Sequence, residues 1–271
     1  MWIAVTCLLF ITLYLFLLLP RRSGKRRMNR YKHTLFAHRG YHCIEKGIPE
    51  NSMKAFQAAV KNDYGIELDV HLTRDGNLVV FHDDTLNRVC GCPGSVEGMT
   101  LEQLKRCRLL GTSERIPLFS EVLSLVDGKV PLLIELKIPS HSLKVCGKTY
   151  ELLKDYRGDY LIQSFNTLGI CWFRLHAPEV LRGQLSSRLT RTSSKEPWIL
   201  KFFTEHLLCN ILGRPDFISY KLADLPQPEV GLLRRLFHVP LAVWTLRTRA
   251  ALKEGILHYD MQIFEKDCEN Y

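Results

Sequence analysis

Short β-rich runs alternate with longer stretches of helical periodicity along most of the chain, the pattern of βα units wrapped round a parallel sheet. The runs fall at residues 34–40, 66–70, 132–137, 160–165, 181–186, 217–221, 241–246 and 261–265. Eight is the number that closes a TIM (β/α)8 barrel, and a domain over 34–271 is close to the roughly 250 residues that such a barrel needs. Helical spacing occupies 51–62, 100–109, 142–156, 167–176, 197–212, 229–237 and 249–255. In the first of these, Met53, Phe56, Ala59 and Val60 follow Asn51, a residue suited to an N-cap. One apolar run, 78–82, breaks the alternation, since only Thr73-Arg74-Asp75-Gly76-Asn77 separates it from the second strand. The Asp-Gly pair predicts a β-hairpin over 70–83 after strand 2. Symmetric pairing about that turn sets Leu78 opposite Thr73, Val80 opposite His71 and His82 opposite Asp69. No internal repeat or low-complexity stretch interrupts the pattern.

The N-terminus departs from it. Residues 2–19 form an unbroken run of apolar residues and threonines ending at Pro20, about the 18 that mark a transmembrane candidate. No basic region precedes the run and no small-x-small site follows it, which argues against a cleaved signal peptide. The reading is therefore an uncleaved transmembrane helix at 1–20, then a basic juxtamembrane linker at 21–33. Positive charge on the C-terminal side places the barrel in the cytoplasm. The helical stretch 197–212 is apolar over a wide surface; packing on the sheet explains it first, contact with a bilayer second.

Charge and cysteines sharpen this picture. The net charge of +9 is concentrated in Arg21, Arg22, Lys25, Arg26, Arg27, Arg30 and Lys32. With those seven of the 37 basic residues set aside, 30 face 28 acidic ones and the remainder is nearly neutral. The patch suits anionic headgroups of a membrane lipid surface, and no nucleic-acid partner is expected. Nine scattered cysteines in a chain of this length fit reduced thiols better than a disulfide framework.

Candidate chemistry gathers where strands end, the face on which parallel barrels carry their sites. His38-Arg39-Gly40 closes the first strand, Glu67 and Asp69 the second, Glu135 and Lys137 the third. Residues two apart on a strand share a face, so both pairs can point into the lumen. Three converging carboxylates repel one another, and a hard divalent cation, magnesium or calcium, is the usual compensation. The hairpin brings His82 back over them.

The runs AHRG, PENS, IELDVHLTRDGNLVVFHDDTLNR and IELK resemble the glycerophosphodiester phosphodiesterase family, and the likeness extends from Thr34 to Glu265. It suggests a membrane-anchored, bacterial-type member. The resemblance implies a TIM barrel, a bound calcium or magnesium ion, and attack on a phosphodiester that carries glycerol. It makes His38 and His82 the catalytic pair, Glu67, Asp69 and Glu135 the metal ligands, and Arg39 and Lys137 the phosphate holders. Trp244 resembles an aromatic wall for the glycerol side, and Ser52 stands where the family has threonine. The residue types suit that chemistry: cations neutralise a phosphodiester monoanion, and two imidazoles serve an entering and a leaving oxygen. His38 is read as base and His82 as acid. The expected substrate is a small glycerophosphodiester, with a lysophospholipid as alternative; an inactive lipid-binding scaffold is the rival from another class. His33, His42, His71, His141, His176, His206, His238 and His258 lack such company and are read as structural.

Overall fold

The computed structural model describes residues 2–21, 24–140, 142–193 and 196–266; Arg22, His141 and Cys268 lie outside them. Nine strands are formed among these: β1 (Thr34–Ala37), β2 (Gly65–Leu72), β3 (Leu78–Val80), β4 (Leu132–Leu136), β5 (Tyr160–Ser164), β6 (Arg182–Ser186), β7 (Phe217–Lys221), β8 (Leu241–Leu246) and β9 (Met261–Phe264). The helices are α1 (Trp2–Leu18), α2 (Lys25–Met28), α3 (Met53–Lys61), α4 (Asn87–Cys90), α5 (Leu101–Lys105), α6 (Phe119–Val126), α7 (Lys144–Leu153), α8 (Thr167–His176), α9 (Trp198–Glu205), α10 (Asn210–Gly213), α11 (Pro228–Phe237) and α12 (Arg249–His258). All the strands except β3 run parallel, and pairing of β1 with both β2 and β9 closes them into the expected eight-stranded barrel. β3 lies antiparallel on β2, outside the ring.

Alternation along the strands sorts the side chains into two cores. Inward residues Phe36, Leu133, Leu161, Leu181, Phe217, Ala242, Met261 and Ile263, joined by Met28 and Tyr31 from the basic linker, form a buried cluster inside the ring. Outward residues such as Ile66, Leu68, Ile134, Ile162, Ile218 and Val243 pack with the helices. Gly183 is required here, because a Cβ on it would lie 2.3 Å from the Phe217 ring. A third cluster, including Val79, Phe81, Leu86, Val89, Leu104 and Ile116, gives the excursion between β3 and α6 a core of its own. That small core is what holds the segment after β3 over the mouth.

The structure corrects several sequence-based expectations. The hairpin pairs Val70 with Val80, His71 with Val79 and Leu72 with Leu78, one residue out of the symmetric register. The cause is a five-residue turn: Thr73 N donates to Asn77 O at 2.9 Å, Thr73 Oγ1 accepts from Asn77 N at 2.9 Å, and Gly76 takes a φ of +80°. The helical stretch 197–212 breaks into α9 and α10 at Leu207, whose φ is 56°. One straight helix could bury a single stripe; the break turns Leu207 and Cys209 inward while Trp198, Ile199 and Leu200 stay exposed. Helix α6 was not anticipated, although Phe119, Val122, Leu123 and Val126 recur at helical spacing and are all buried. Ser52, not Asn51, caps α3, accepting from Ala55 N at 3.2 Å.

The transmembrane expectation for 1–20 finds no support. Helix α1 has 17 residues, about 26 Å of helix against a hydrocarbon core of about 30 Å. No described helix is long and apolar enough to cross a membrane. Part of α1 is moreover committed to the barrel. Leu18 is fully buried, Tyr14 donates to Glu229 Oε1 at 3.1 Å, and Arg214 donates to the carbonyls of Phe16 and Leu19 at 3.1 and 3.0 Å. The orientation argument rested on that span and goes with it.

Phe217 is fully buried at the lumen floor, so Phe217→Ala should cost about 3–5 kcal/mol of unfolding free energy, read by urea denaturation followed by circular dichroism.

Candidate active site

Glu67 and Asp69 leave β2 on its inward face, and Glu135 leaves β4 directly beside Asp69 in the strand register. One oxygen from each carboxylate lies within 4.8 Å of the others, and all three residues are buried. Lys137 places its ammonium 2.5 Å from Glu135 Oε1 and 3.0 Å from Asp69 Oδ1. Arg39 turns back with a φ of 58°, which lets its backbone N–H donate to Glu67 Oε2 at 3.0 Å. Gly40 follows at φ +79°, where a Cβ would meet Ala55 Cβ at 2.9 Å. The left-handed pair thus folds the end of β1 against α3 and aims a donor at the acids.

The segment before α3 supplies three supports. Glu50 accepts from Arg39 Nη1 at 2.7 Å and from Arg88 at 2.7 and 2.8 Å. Asn51 donates to Asp69 Oδ2 at 2.9 Å, the reason it is unavailable as a cap. Ser52 caps α3 and donates to Pro49 O at 2.7 Å. A motif that reads as a helix start is therefore mainly a brace for the acids.

Crowding splits the titration of these groups. Burial, then the charges of Asp69 and Glu135, push Glu67 well above the usual carboxylate range. Burial likewise raises Glu135, against the pull of Lys137. Burial opposes ionisation of Asp69 too, but Lys137, His82 and Arg39 outweigh it and hold that carboxyl far below its ordinary value. Burial would depress Lys137; Asp69 and Glu135 reverse the effect and raise it. The donor set is all oxygen, buried and convergent, with less positive charge around it than three carboxylates demand, and so it fits a hard divalent cation.

Both expected histidines reach the same mouth. His38 Nδ1 lies 2.7 Å from Glu265 Oε1, and His82 Nδ1 lies 2.6 Å from Asp83 Oδ1. Each ring is thereby oriented through Nδ1, leaving Nε2 for other partners. Burial lowers His38 to about 4, against the hydrogen bond that its ring donates to Glu265. Asp83 is gripped in turn by Arg88, at 2.7 and 2.9 Å, and Arg88 also holds Glu50. His71, read as structural, is fully buried with Nε2 3.3 Å from the His82 carbonyl, a support beneath that residue.

His38, Arg39, Glu67, His82 and Glu135 line one cavity of about 370 Å³, within the range of small-molecule sites. Trp244 stands on its far wall, edge-on to Phe165 with ring centroids 5.8 Å apart. Every site residue expected from sequence thus converges at one rim, Lys137 through its contacts with the acids. Sequence reasoning missed the roles of Glu50, Asn51, Asp83, Arg88 and Glu265. Asp83 and Glu50 adjoined recognised residues and offered a local signal; Glu265 meets His38 only because β9 closes beside β1.

Residues 38–264 match the model of the Glycerophosphoryl diester phosphodiesterase family. A glycerophosphodiester phosphodiesterase of Caldanaerobacter subterraneus is 34% identical over 181 residues, covering 62% of this chain and 70% of the relative. A human lysophospholipase D is 30% identical over 164 residues, covering 56% of this chain and 50% of that protein, so the match spans only half its length. Among solved structures, an Oleispira antarctica phosphodiesterase in complex with the product sn-glycerol-3-phosphate superposes with a TM-score of 0.70 at 23% identity, over 88% of this chain and 94% of the other. The last comparison bears on the fold.

A divalent cation should stabilise the protein, and more so at higher pH. Glu67 and Glu135 have raised folded-state values, so their metal-free contribution is present at low pH and is lost as pH rises through the raised range. A cation replaces the lost protons. Magnesium or calcium at a hundredfold excess over Kd should raise Tm by about 5–10 °C at pH 8, less at pH 5, and much less in Glu135→Gln, as read by differential scanning fluorimetry.

Proposed function

Since this chain belongs to the Glycerophosphoryl diester phosphodiesterase family, we propose that its mouth hydrolyses small glycerophosphodiesters to an alcohol and sn-glycerol 3-phosphate. The observation that carries this reading is the meeting of three buried carboxylates with two carboxylate-backed imidazoles around one cavity. Glu67, Asp69 and Glu135 would hold magnesium or calcium, whose charge would polarise the phosphoryl oxygens. Arg39 and Lys137 sit where they can add positive charge on the same anion, although both already balance the acids.

His38, kept unprotonated at neutral pH by burial, takes the proton of the entering oxygen through Nε2. Glu265 orients that ring and stabilises the imidazolium formed. His82, backed by Asp83, returns a proton to the leaving alkoxide. Trp244 and Phe165 form an apolar wall for the carbon skeleton of glycerol.

Lysophospholipids are the second reading. It is favoured by the exposed apolar residues of α1, among them Trp2, Leu8, Leu9 and Phe10, and by Trp198, Ile199 and Leu200 on α9. Such surfaces suit contact with lipid aggregates. An inactive scaffold has nothing in its favour, because no expected catalytic or ligand position is lost.

His38→Ala and His82→Ala should each lower kcat by about 100-fold or more, measured as glycerol 3-phosphate released from a glycerophosphodiester with magnesium or calcium present. Near-normal turnover in either variant removes that histidine from its role. Glu265→Gln, acting through His38, should lower kcat by about tenfold with KM little changed.

A further inference from the structure

The cavity has a second polar wall. In the strand order, β7 and β8 lie four places round the ring from β2 and β4, so they face the acidic cluster across the lumen. Phe217, Ser219 and Lys221 alternate along the inward face of β7, which sets Lys221 at the rim, and it lines the cavity. Trp244 is its register partner on β8.

The other cations at this mouth are already matched. Arg39 is held by Glu50, Lys137 by Glu135 and Asp69, and Arg247 by Glu265 at 2.6 and 3.1 Å. The Lys221 ammonium makes no ion pair or hydrogen bond with a described residue. Beside it, the buried indole Nε1 of Trp244 also has no acceptor among the described residues. A charged donor thus lines the substrate cavity with no acceptor among the described residues, and Trp244 is its neighbour on the next strand.

Resting on the phosphodiesterase reading, we propose that Lys221 forms a subsite for a second anionic group of the substrate, a carboxylate or phosphate distinct from the scissile phosphate. The favoured substrates are then glycerophosphodiesters carrying an acidic group, and diesters whose only additional charge is cationic are disfavoured. Physically, an ammonium directed at an anion makes charge-assisted hydrogen bonds, which are stronger than neutral ones. A cationic headgroup in the same place meets like charge and leaves the ammonium unpaired.

Glycerophosphoserine and glycerophosphoethanolamine differ by one carboxylate and isolate the effect. The full-length protein with saturating magnesium or calcium should show a kcat/KM ratio of about ten or more in favour of the serine diester. Lys221→Met should bring the ratio near one, and Lys221→Arg should keep most of it. A wild-type ratio near one, or a preference surviving in Lys221→Met, overturns the inference. Absence of turnover with both diesters overturns the phosphodiesterase reading and this inference with it.

Discussion

Three carboxylates held within 4.8 Å of one another in a buried mouth cannot all be ionised without compensation, and the surrounding structure is arranged to provide it. Lys137 bridges two of them, the Arg39 amide caps the third, and Asn51 takes the remaining side of Asp69. Those contacts still leave Glu67 and Glu135 shifted toward the protonated form. The residual frustration is what makes the site a receptor for a cation. Breaking a buried charge network by removing one partner is costly, so these contacts also hold the ends of β1, β2 and β4 in register.

The imidazoles belong to a second tier of the same network. Glu265 is placed between His38 and Arg247, and Asp83 between His82 and Arg88. Burial of either carboxylate opposes its ionisation, yet its imidazole and arginine partners lower it well below the ordinary range. Each therefore remains an anion able to stabilise a protonated ring. Arg88 links Asp83 to Glu50 and through it to Arg39, so the excursion after β3 and the segment before α3 are tied by one ionic chain. The separate apolar core under that excursion gives His82 a rigid base outside the barrel.

Against this anionic half, the wall made by β5, β7 and β8 carries Phe165, Lys221 and Trp244. One side of the cavity can hold a cation and a phosphate, and the other offers an apolar face and the unpaired ammonium of Lys221. Such a division lets one barrel keep its reaction fixed while the far wall decides which alcohol or glycerol substituent is accepted.

Alternating β-rich and helical segments were enough to give the eight barrel strands, and period-two spacing at their ends placed Glu67 with Asp69 and Glu135 with Lys137, because strand geometry is local. The AHRG and FHD runs marked His38 and His82 through their resemblance to a known family. The N-terminal apolar run was legible as a helix, but the packing of its last turns against Arg214 and Glu229 was not, since those partners come from distant parts of the chain. The hairpin register depended on a side-chain bond within the turn, and the break at Leu207 depended on what lay beneath it. Glu265 beside His38, the second task of Asn51 and the pairing of Lys221 with Trp244 required closure of the ring. Each of those contacts joins residues whose proximity is created by the barrel and has no signature in the order of the chain.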